Sequence, residues 1–138
     1  MRIEPIVLSV VLAAAVAPAA ARAAEPLVCN LHALSDAERD RHHALGEKLM
    51  SAVVKVSELP DGYALALDLK KLPADAQGLP WCVVEVAQWA ELESRCCPFL
   101  NFGIDLRGKD GVVTLRLTGG EGVKEFVKDE LGVKAASR

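Results

Sequence analysis

Large apolar residues alternate with small or polar ones most regularly over 63–69 of this chain. The large side chains there are Tyr63, Leu65, Leu67 and Leu69. A period of two residues is typical of a half-buried β-strand. The run VKVSEL lies just upstream, and Pro60-Asp61-Gly62 separates the two runs. Because an Asp-Gly pair between two such runs favours a tight turn, we predict a β-hairpin here.

A helical pattern precedes this hairpin. Its apolar face consists of Leu45, Leu49, Ala52 and Val53, with His42 at the upstream edge. Ser35 followed by Glu38 forms a capping-box signature, in which each side chain satisfies a backbone N–H at the start of a helix. We therefore predict a helix over about 36–53.

The second half of the chain repeats this order. Pro80 opens a helical pattern over about 81–97, and Pro98 ends it because proline lacks an N–H and disfavours helix in the preceding residue. The runs FLNFGIDL and VVTLRL are the next predicted strands, joined around Lys109-Asp110-Gly111. A short helix over about 121–131 closes the chain.

The order helix-strand-strand, twice, plus a C-terminal helix predicts an α+β fold. Its simplest packing is a two-layer sandwich in which helices cover one face of a four-stranded antiparallel sheet. We expect one domain over 35–131, preceded by a lead-in over 24–34 that contains Cys29 and followed by a frayed tail over 132–138.

The first 23 residues form a predicted signal peptide (1–23). A basic residue, Arg2, precedes a short alanine-rich apolar run, and Ala21-Arg22-Ala23 gives the small-x-small pattern of a cleavage site. An N-terminal membrane anchor is the alternative, but Pro18 interrupts a run that is already short for a span. We expect a periplasmic or secreted protein without stable membrane insertion.

The charge and the cysteine content exclude some classes of function. The chain of 138 residues has a formal net charge of −3 and no basic cluster, which argues against nucleic acid as a partner. Its four cysteines are too sparse for a disulfide scaffold. In an oxidising compartment unprotected thiols tend to pair, so a structural disulfide and a functional thiol both remain open.

Cys82 and Cys96 are separated by fourteen residues of one predicted helix. That is about 21 Å at 1.5 Å per residue, too far for a disulfide. We expect Cys82 to be a small buried residue on the sheet-facing side, near Val86 and Trp89.

Cys96 and Cys97 lie side by side where this helix ends. A disulfide between neighbouring residues would distort the peptide, since their α-carbons are about 3.8 Å apart. A helix C-terminus raises a thiol pKa, and the chain has no C-x-x-C motif. Both facts argue against a dedicated oxidoreductase, and an enzyme is the less favoured class. They argue less against soft-metal capture, in which the ion displaces the proton.

Cys29 and His32 form a C-x-x-H spacing that lets a thiolate and an imidazole converge on one metal ion. The competing interpretation is a disulfide from Cys29 to Cys96 or Cys97. Either interpretation requires Cys29 to lie close to the Cys96-Cys97 pair.

Other polar side chains on the two long helices have simpler interpretations. We expect one of His42 and His43 to be partly buried and the other solvated. Glu85, Glu91 and Glu93 are expected to form the wet side of the second helix.

Three segments carry a resemblance to a known family: WAELESRCCPFLNFGIDL, CNLHALSDAER and VTLRLTGGEGVKEFV. Together they resemble an uncharacterised family of small bacterial Cys-Cys-Pro-Phe thiol proteins, over about Cys29 to Leu131. Relatives occur as free-standing cytosolic domains and beside mercury-responsive regulators. The resemblance implies a heavy-metal or thiol-redox association, with Cys29, Cys96 and Cys97 as the family's cysteines and Cys82 outside the pattern. The predicted signal peptide departs from the cytosolic relatives.

The leading hypothesis is an exported thiol protein that binds a soft metal ion through Cys29, Cys96 and Cys97, with His32 as a possible fourth ligand. Three thiolates suit Cu(I) or Zn(II), and by the same softness Hg(II). One alternative is a thiol-disulfide redox protein in which Cys29 exchanges with Cys96 or Cys97. Another is a disulfide-stapled binding module without chemistry.

Overall fold

The structure, a computed structural model, describes residues 27–74, 77–78 and 81–132. It contains three α-helices and four strands, and the order of elements is the predicted one. In chain order they are α1 (Asp36–Ser51), β1 (Val53–Leu59), β2 (Gly62–Asp68), α2 (Val83–Cys96), β3 (Leu100–Arg107), β4 (Val112–Gly119) and α3 (Val123–Glu130). The predicted α+β fold is confirmed. The predicted signal peptide and most of the predicted tail lie outside the described residues.

The four strands form one antiparallel sheet in the order β1-β2-β4-β3. Each predicted hairpin is present, and the two hairpins join through their second strands. Leu65 of β2 is paired with Leu115 of β4 near the middle of that seam. Gly62 begins β2 where a Cβ would lie 1.9 Å from the carbonyl oxygen of Leu117, so the first turn requires glycine at this position.

One hydrophobic core joins the sheet to the helices. The buried side chains of β2 and β4 alternate along each strand, as the pattern over 63–69 predicts. They pack in one cluster with residues of all three helices. The helical members of that cluster are Leu45, Leu49, Val86, Trp89, Ala90, Leu92, Cys96, Val123 and Val127. The helices therefore stabilise the fold mainly by burying their apolar faces.

The helix ends differ slightly from the sequence-based bounds. The Ser35–Glu38 capping box is present, and α1 ends at Ser51 because Val53 already pairs with β2. Helix α2 is flanked by two cysteines whose backbones are not helical: Cys82 is extended, with φ −135° and ψ 174°, and Cys97 has φ −122° and ψ 70°. Because both residues lie outside the helix, the helical period does not predict where their side chains point.

The prediction that Cys82 is buried is wrong. Its side chain is exposed, whereas Val86 and Trp89 of the same helix are buried. The reason is that Cys82 precedes the first turn of α2, where the chain has not yet adopted the helical period. Its backbone N–H and its thiol instead donate to Glu85 Oε2, at 3.0 and 2.8 Å.

In the described part of the chain, the helices are too short or too polar to cross a bilayer.

Candidate thiol and metal site

The lead-in residues are fixed against the C-terminal end of α2. The backbone N–H of Asn30 donates to the carbonyl oxygen of Cys96 at 2.7 Å. Arg95 donates to the carbonyl of Ala33 at 3.3 Å and to Glu38 of α1 at 2.7 Å. The hydrogen bond from Arg95 is the main reason that the pKa of Glu38 falls to about 2. These bonds place Cys29 at the corner where α2 ends.

At that corner Cys29 forms a disulfide with Cys97, 68 residues further along the chain. Their α-carbons are 4.6 Å apart, which lies inside the usual range for a disulfide. The sequence left the partner open between Cys96 and Cys97, and the structure selects Cys97. Cys29 therefore lies next to the cysteine pair, as both the metal and the disulfide hypotheses required.

Cys96 remains a free thiol and is almost fully buried, with 1% of its surface exposed. Its Sγ lies 3.7 Å from Cys97 Sγ and donates to the carbonyl oxygen of Glu93 at 3.4 Å. Glu93 Oε2 lies 3.9 Å from the same sulfur. Burial, and secondarily the negative charge of Glu93, raise the pKa of the Cys96 thiol to about 11.

The expectation that Glu93 lies on the wet side of α2 is wrong, since only 3% of this residue is exposed. The carboxylate is in direct contact with Nε2 of His42 on α1. His42 in turn stacks on Trp89, with ring centroids 6.0 Å apart and planes 12° from parallel. His42 is partly buried and His43 is exposed, which confirms the prediction for that pair.

Helix packing explains how His42 reaches Glu93. Gly46 lies one turn beyond His42 on α1, and a Cβ there would be 3.1 Å from Nε1 of Trp89. The missing side chain lets α1 approach α2 closely at this point. A buried carboxylate needs a partner to offset its lost hydration, and the imidazole supplies one.

Four side chains form the candidate metal site: Cys29, Glu93, Cys96 and Cys97. Their ligand atoms all lie within 4.8 Å of one another. His32 does not belong to this group. It is exposed, within a single 3-10 turn over Leu31–Ala33, and its role as a fourth ligand remains a prediction.

Above this group lies a cavity of about 320 Å³. The three cysteines, Glu93 and His42 line it, together with Glu130 at the C-terminal end of α3. Five apolar side chains, called here the apolar wall, complete the lining: Leu27, Val28, Leu31, Phe126 and Leu131. The site therefore combines soft donors, one buried carboxylate and an apolar wall.

The chemistry of the site depends on its oxidation state. With the disulfide closed, Cys96 is the free thiol of the group and Glu93 its neighbouring acceptor. Reduction by two electrons and two protons opens the disulfide and yields three thiols around one carboxylate. Thiolates are soft ligands, so the reduced group suits a soft ion, whereas a carboxylate alone favours hard ones.

Glu93 is the site residue that sequence reasoning missed. Its position was available from the helical period, because Trp89 precedes it by four residues and Cys96 follows it by three. A glutamate on the apolar face of a helix needs a partner. The upstream His42, at the edge of the α1 face, was the candidate that the pattern offered.

Comparisons of the chain with family models, with curated proteins and with solved structures found no match. The function is therefore inferred from the chemistry of the site itself.

Proposed function

We propose that this is an exported thiol protein that binds a soft heavy-metal ion through Cys29, Cys96 and Cys97 when its disulfide is reduced. One observation carries the proposal: three sulfurs and a buried carboxylate lie within 4.8 Å of one another. A disulfide is compatible with an oxidising compartment such as the periplasm or the extracellular space. The cysteines are also those that the resemblance to the bacterial Cys-Cys-Pro-Phe family implies.

The donor set favours some ions over others. Cu(I) and Hg(II) are satisfied by two or three thiolates, which the reduced cysteines supply without help. Zn(II) in structural sites takes four ligands. Glu93 is the nearest further donor, and His32 is the second candidate if the lead-in moves. A bound ion replaces the thiol protons, so the raised pKa of Cys96 lowers the apparent metal affinity at neutral pH without preventing binding.

A second candidate function is thiol-disulfide exchange, favoured by the 3.7 Å distance between Cys96 Sγ and Cys97 Sγ. In such a step Cys96 would attack the disulfide, one S–S bond would form as another breaks, and a thiol would be released. However, a pKa of about 11 leaves only about one Cys96 in ten thousand as thiolate at pH 7. Rapid exchange through Cys96 is therefore disfavoured, and metal binding is the preferred proposal.

The first experiment is a titration of fully reduced Cys82→Ser protein with Cu(I), Hg(II) or Zn(II), followed by calorimetry and competition with a chelator. The Cys82 substitution removes the exposed thiol, which would otherwise bind metal on its own. We expect one equivalent of Cu(I) or Hg(II). Cys29→Ser in the same background should weaken Zn(II) binding by about a hundredfold or more, because Zn(II) takes four ligands, and should weaken Hg(II) binding less, because two thiolates remain. Absence of stoichiometric uptake by the reduced protein would overturn the proposal.

The fourth ligand is tested with Zn(II) in the same background. If Glu93 is a ligand, Glu93→Gln should weaken Zn(II) binding more than Hg(II) binding, because mercury is satisfied by two thiolates. His32→Ala is the matched comparison. A larger effect of His32→Ala than of Glu93→Gln on Zn(II) binding would instead identify His32, of the C-x-x-H motif, as the fourth ligand.

A glutathione redox titration separates the proposal from its alternatives. A redox protein would show a Cys29–Cys97 potential well above the roughly −300 mV of inert structural disulfides. A potential below that mark together with no metal uptake would leave a disulfide-stapled binding module.

A further inference from the structure

The closed-disulfide form also presents a complete site, although with a different number of thiols. Among the described residues that line the 320 Å³ cavity, Cys96 is the one cysteine outside the disulfide. Its sulfur lies 3.9 Å from Oε2 of Glu93, and the same cavity is lined by five apolar side chains together with His42 and Glu130.

We propose that the oxidised protein binds an organometal cation, a soft metal ion that carries one apolar organic substituent, at Cys96. The substituent would occupy the apolar wall while the Cys29–Cys97 disulfide stays closed. This inference rests on the proposed soft-metal function of the same site and names a ligand class for its oxidised form.

The number of free thiols at the site determines whether it can bind inorganic Hg(II) or an organomercury cation. An inorganic Hg(II) ion requires two thiolates, and the closed disulfide withholds two of the three sulfurs. An organomercury cation already has a carbon as one of its two linear ligands, so a single thiolate completes its coordination. In the balanced step, the S–H bond of Cys96 breaks, an S–Hg bond forms and the counter-ligand of the ion leaves as an anion. The proton passes to the Glu93 carboxylate or to water, and nothing is oxidised or reduced.

The volume of the cavity fits such a ligand. An engineered cavity of about 150 Å³ is enough to hold benzene. At about 320 Å³ this one has room for a ring of that size and a metal ion above the sulfur. The described lining carries two carboxylates, Glu93 and Glu130, against one imidazole, His42, and no lysine or arginine, which favours a cation over a neutral or anionic ligand of the same shape.

A ligand of this kind would explain why two apolar residues of the lead-in are exposed. Val28 is 71% exposed and Leu31 is 50% exposed, so neither contributes much to the core. Both line the cavity. An exposed apolar side chain beside a thiol site offers the contact area that an organic substituent requires.

The test uses oxidised Cys82→Ser protein, which keeps the disulfide and has Cys96 as its single free thiol. Phenylmercury and methylmercury are titrated in competition with glutathione, and intact mass spectrometry reports the adduct and the disulfide together. We expect one equivalent of phenylmercury with the disulfide intact. The preference for phenylmercury over methylmercury should exceed that of glutathione by about tenfold, the factor expected if roughly 60 Å² more apolar surface is buried.

Leu31→Ser in the same background is the matched wall variant, since this exposed residue can change without disturbing the core. It should bring the phenyl-to-methyl preference down toward that of glutathione, while methylmercury binding changes little. Removing Cys96 as well, with Cys96→Ser, should abolish both adducts.

The outcomes separate this inference from the proposed function. A phenyl-to-methyl preference equal to that of glutathione, or one that Leu31→Ser leaves unchanged, would overturn the organometal site. An adduct that forms only with opening of the disulfide would overturn it as well. In each of these cases, uptake of inorganic ions by the reduced protein is measured independently and can still succeed.

Discussion

The two ends of α2 carry the same two residue types at the same spacing, in opposite surroundings. At the start of the helix, Cys82 precedes Glu85 by three residues, and its exposed thiol donates to that carboxylate at 2.8 Å. At the end of the helix, Glu93 precedes Cys96 by three residues, and both are buried. The first pair helps to begin a helix, whereas the second lies in a candidate metal site.

Contacts from distant parts of the chain account for the difference. At the first pair, the hydrogen bond from the Cys82 thiol lowers the pKa of Glu85, and the group of potential metal ligands found among the described residues does not include Cys82. At the second pair, α1 brings His42 to Glu93, and the lead-in brings Cys29 beside Cys96. A cysteine and a glutamate one helical turn apart thus acquire different chemistry from what packs against them.

Of the changes at the two ends of α2, loss of the disulfide should have the largest effect on the free energy of unfolding. Cys29→Ser should lower the free energy of unfolding by about 4 kcal/mol, because the closed loop restricts the unfolded chain. Urea denaturation under non-reducing conditions measures this. Cys82→Ser is the control at the other end of α2 and should stay within about 0.5 kcal/mol of the parent. Equal losses of unfolding free energy in the two variants would mean that the disulfide at the buried end does not stabilise the fold more than Cys82 does at the exposed end.

The next effect concerns the partner of the buried carboxylate. His42→Ala should cost about 2 kcal/mol of unfolding free energy, since it leaves the buried Glu93 carboxylate without its imidazole partner and removes the stacking on Trp89. Adding Glu93→Gln to that variant should recover part of the loss, because a neutral amide is less costly to bury. A double-mutant cycle measures the coupling. Strict additivity would show that the two residues do not act as a pair.

The third test uses pH. The folded-state pKa of Cys96 is raised from an ordinary 9.0 to about 11, so the folded protein holds this proton more tightly than the unfolded chain does. Its contribution to stability is complete below about pH 9 and is lost as the pH rises toward 11. Denaturation curves of oxidised Cys82→Ser protein should therefore show a decline over that window. The decline should be smaller after Cys96→Ala, and an unchanged decline would contradict the raised pKa.

The smallest expected effect is at the exposed end. Cys82→Ser should maintain or slightly raise the stability, by up to about 0.5 kcal/mol, because serine is a better residue than cysteine at the start of a helix. Thermal denaturation measures this. A loss above 1 kcal/mol would instead indicate that Cys82 packs as the buried residue that the sequence pattern predicted.

The fold was predictable because its signals are local. The alternation over 63–69, the Asp-Gly turns and the Ser35–Glu38 cap each indicate one element from neighbouring residues. The closeness of Cys29 to the cysteine pair was predictable from chemistry alone. The choice of Cys97 over Cys96 was not, since it depends on the backbone leaving the helix at Cys97 and on the bond from Asn30 to Cys96.

The two errors have different causes. The exposure of Cys82 does not follow from the helical period, because this residue precedes the helix. The burial of Glu93 does follow from its position on the buried face, but its charge favours the solvated side unless a partner such as His42 offsets it. The role of His32 as a ligand remains a prediction, because it depends on whether the lead-in can move.

The 68-residue separation between Cys29 and Cys97 also has a consequence for oxidative folding. Synthesis proceeds from the N-terminus, so Cys29 cannot form its native bond until α1, the first hairpin and α2 have been made. Cys82 and Cys96 both emerge before the native partner and can capture Cys29 first. A mispaired Cys29–Cys96 bond would lie beside the Cys97 thiol, which can attack it and restore the native bond without unfolding. A bond to Cys82 has no such neighbour, and its correction would require an external isomerase or thiol.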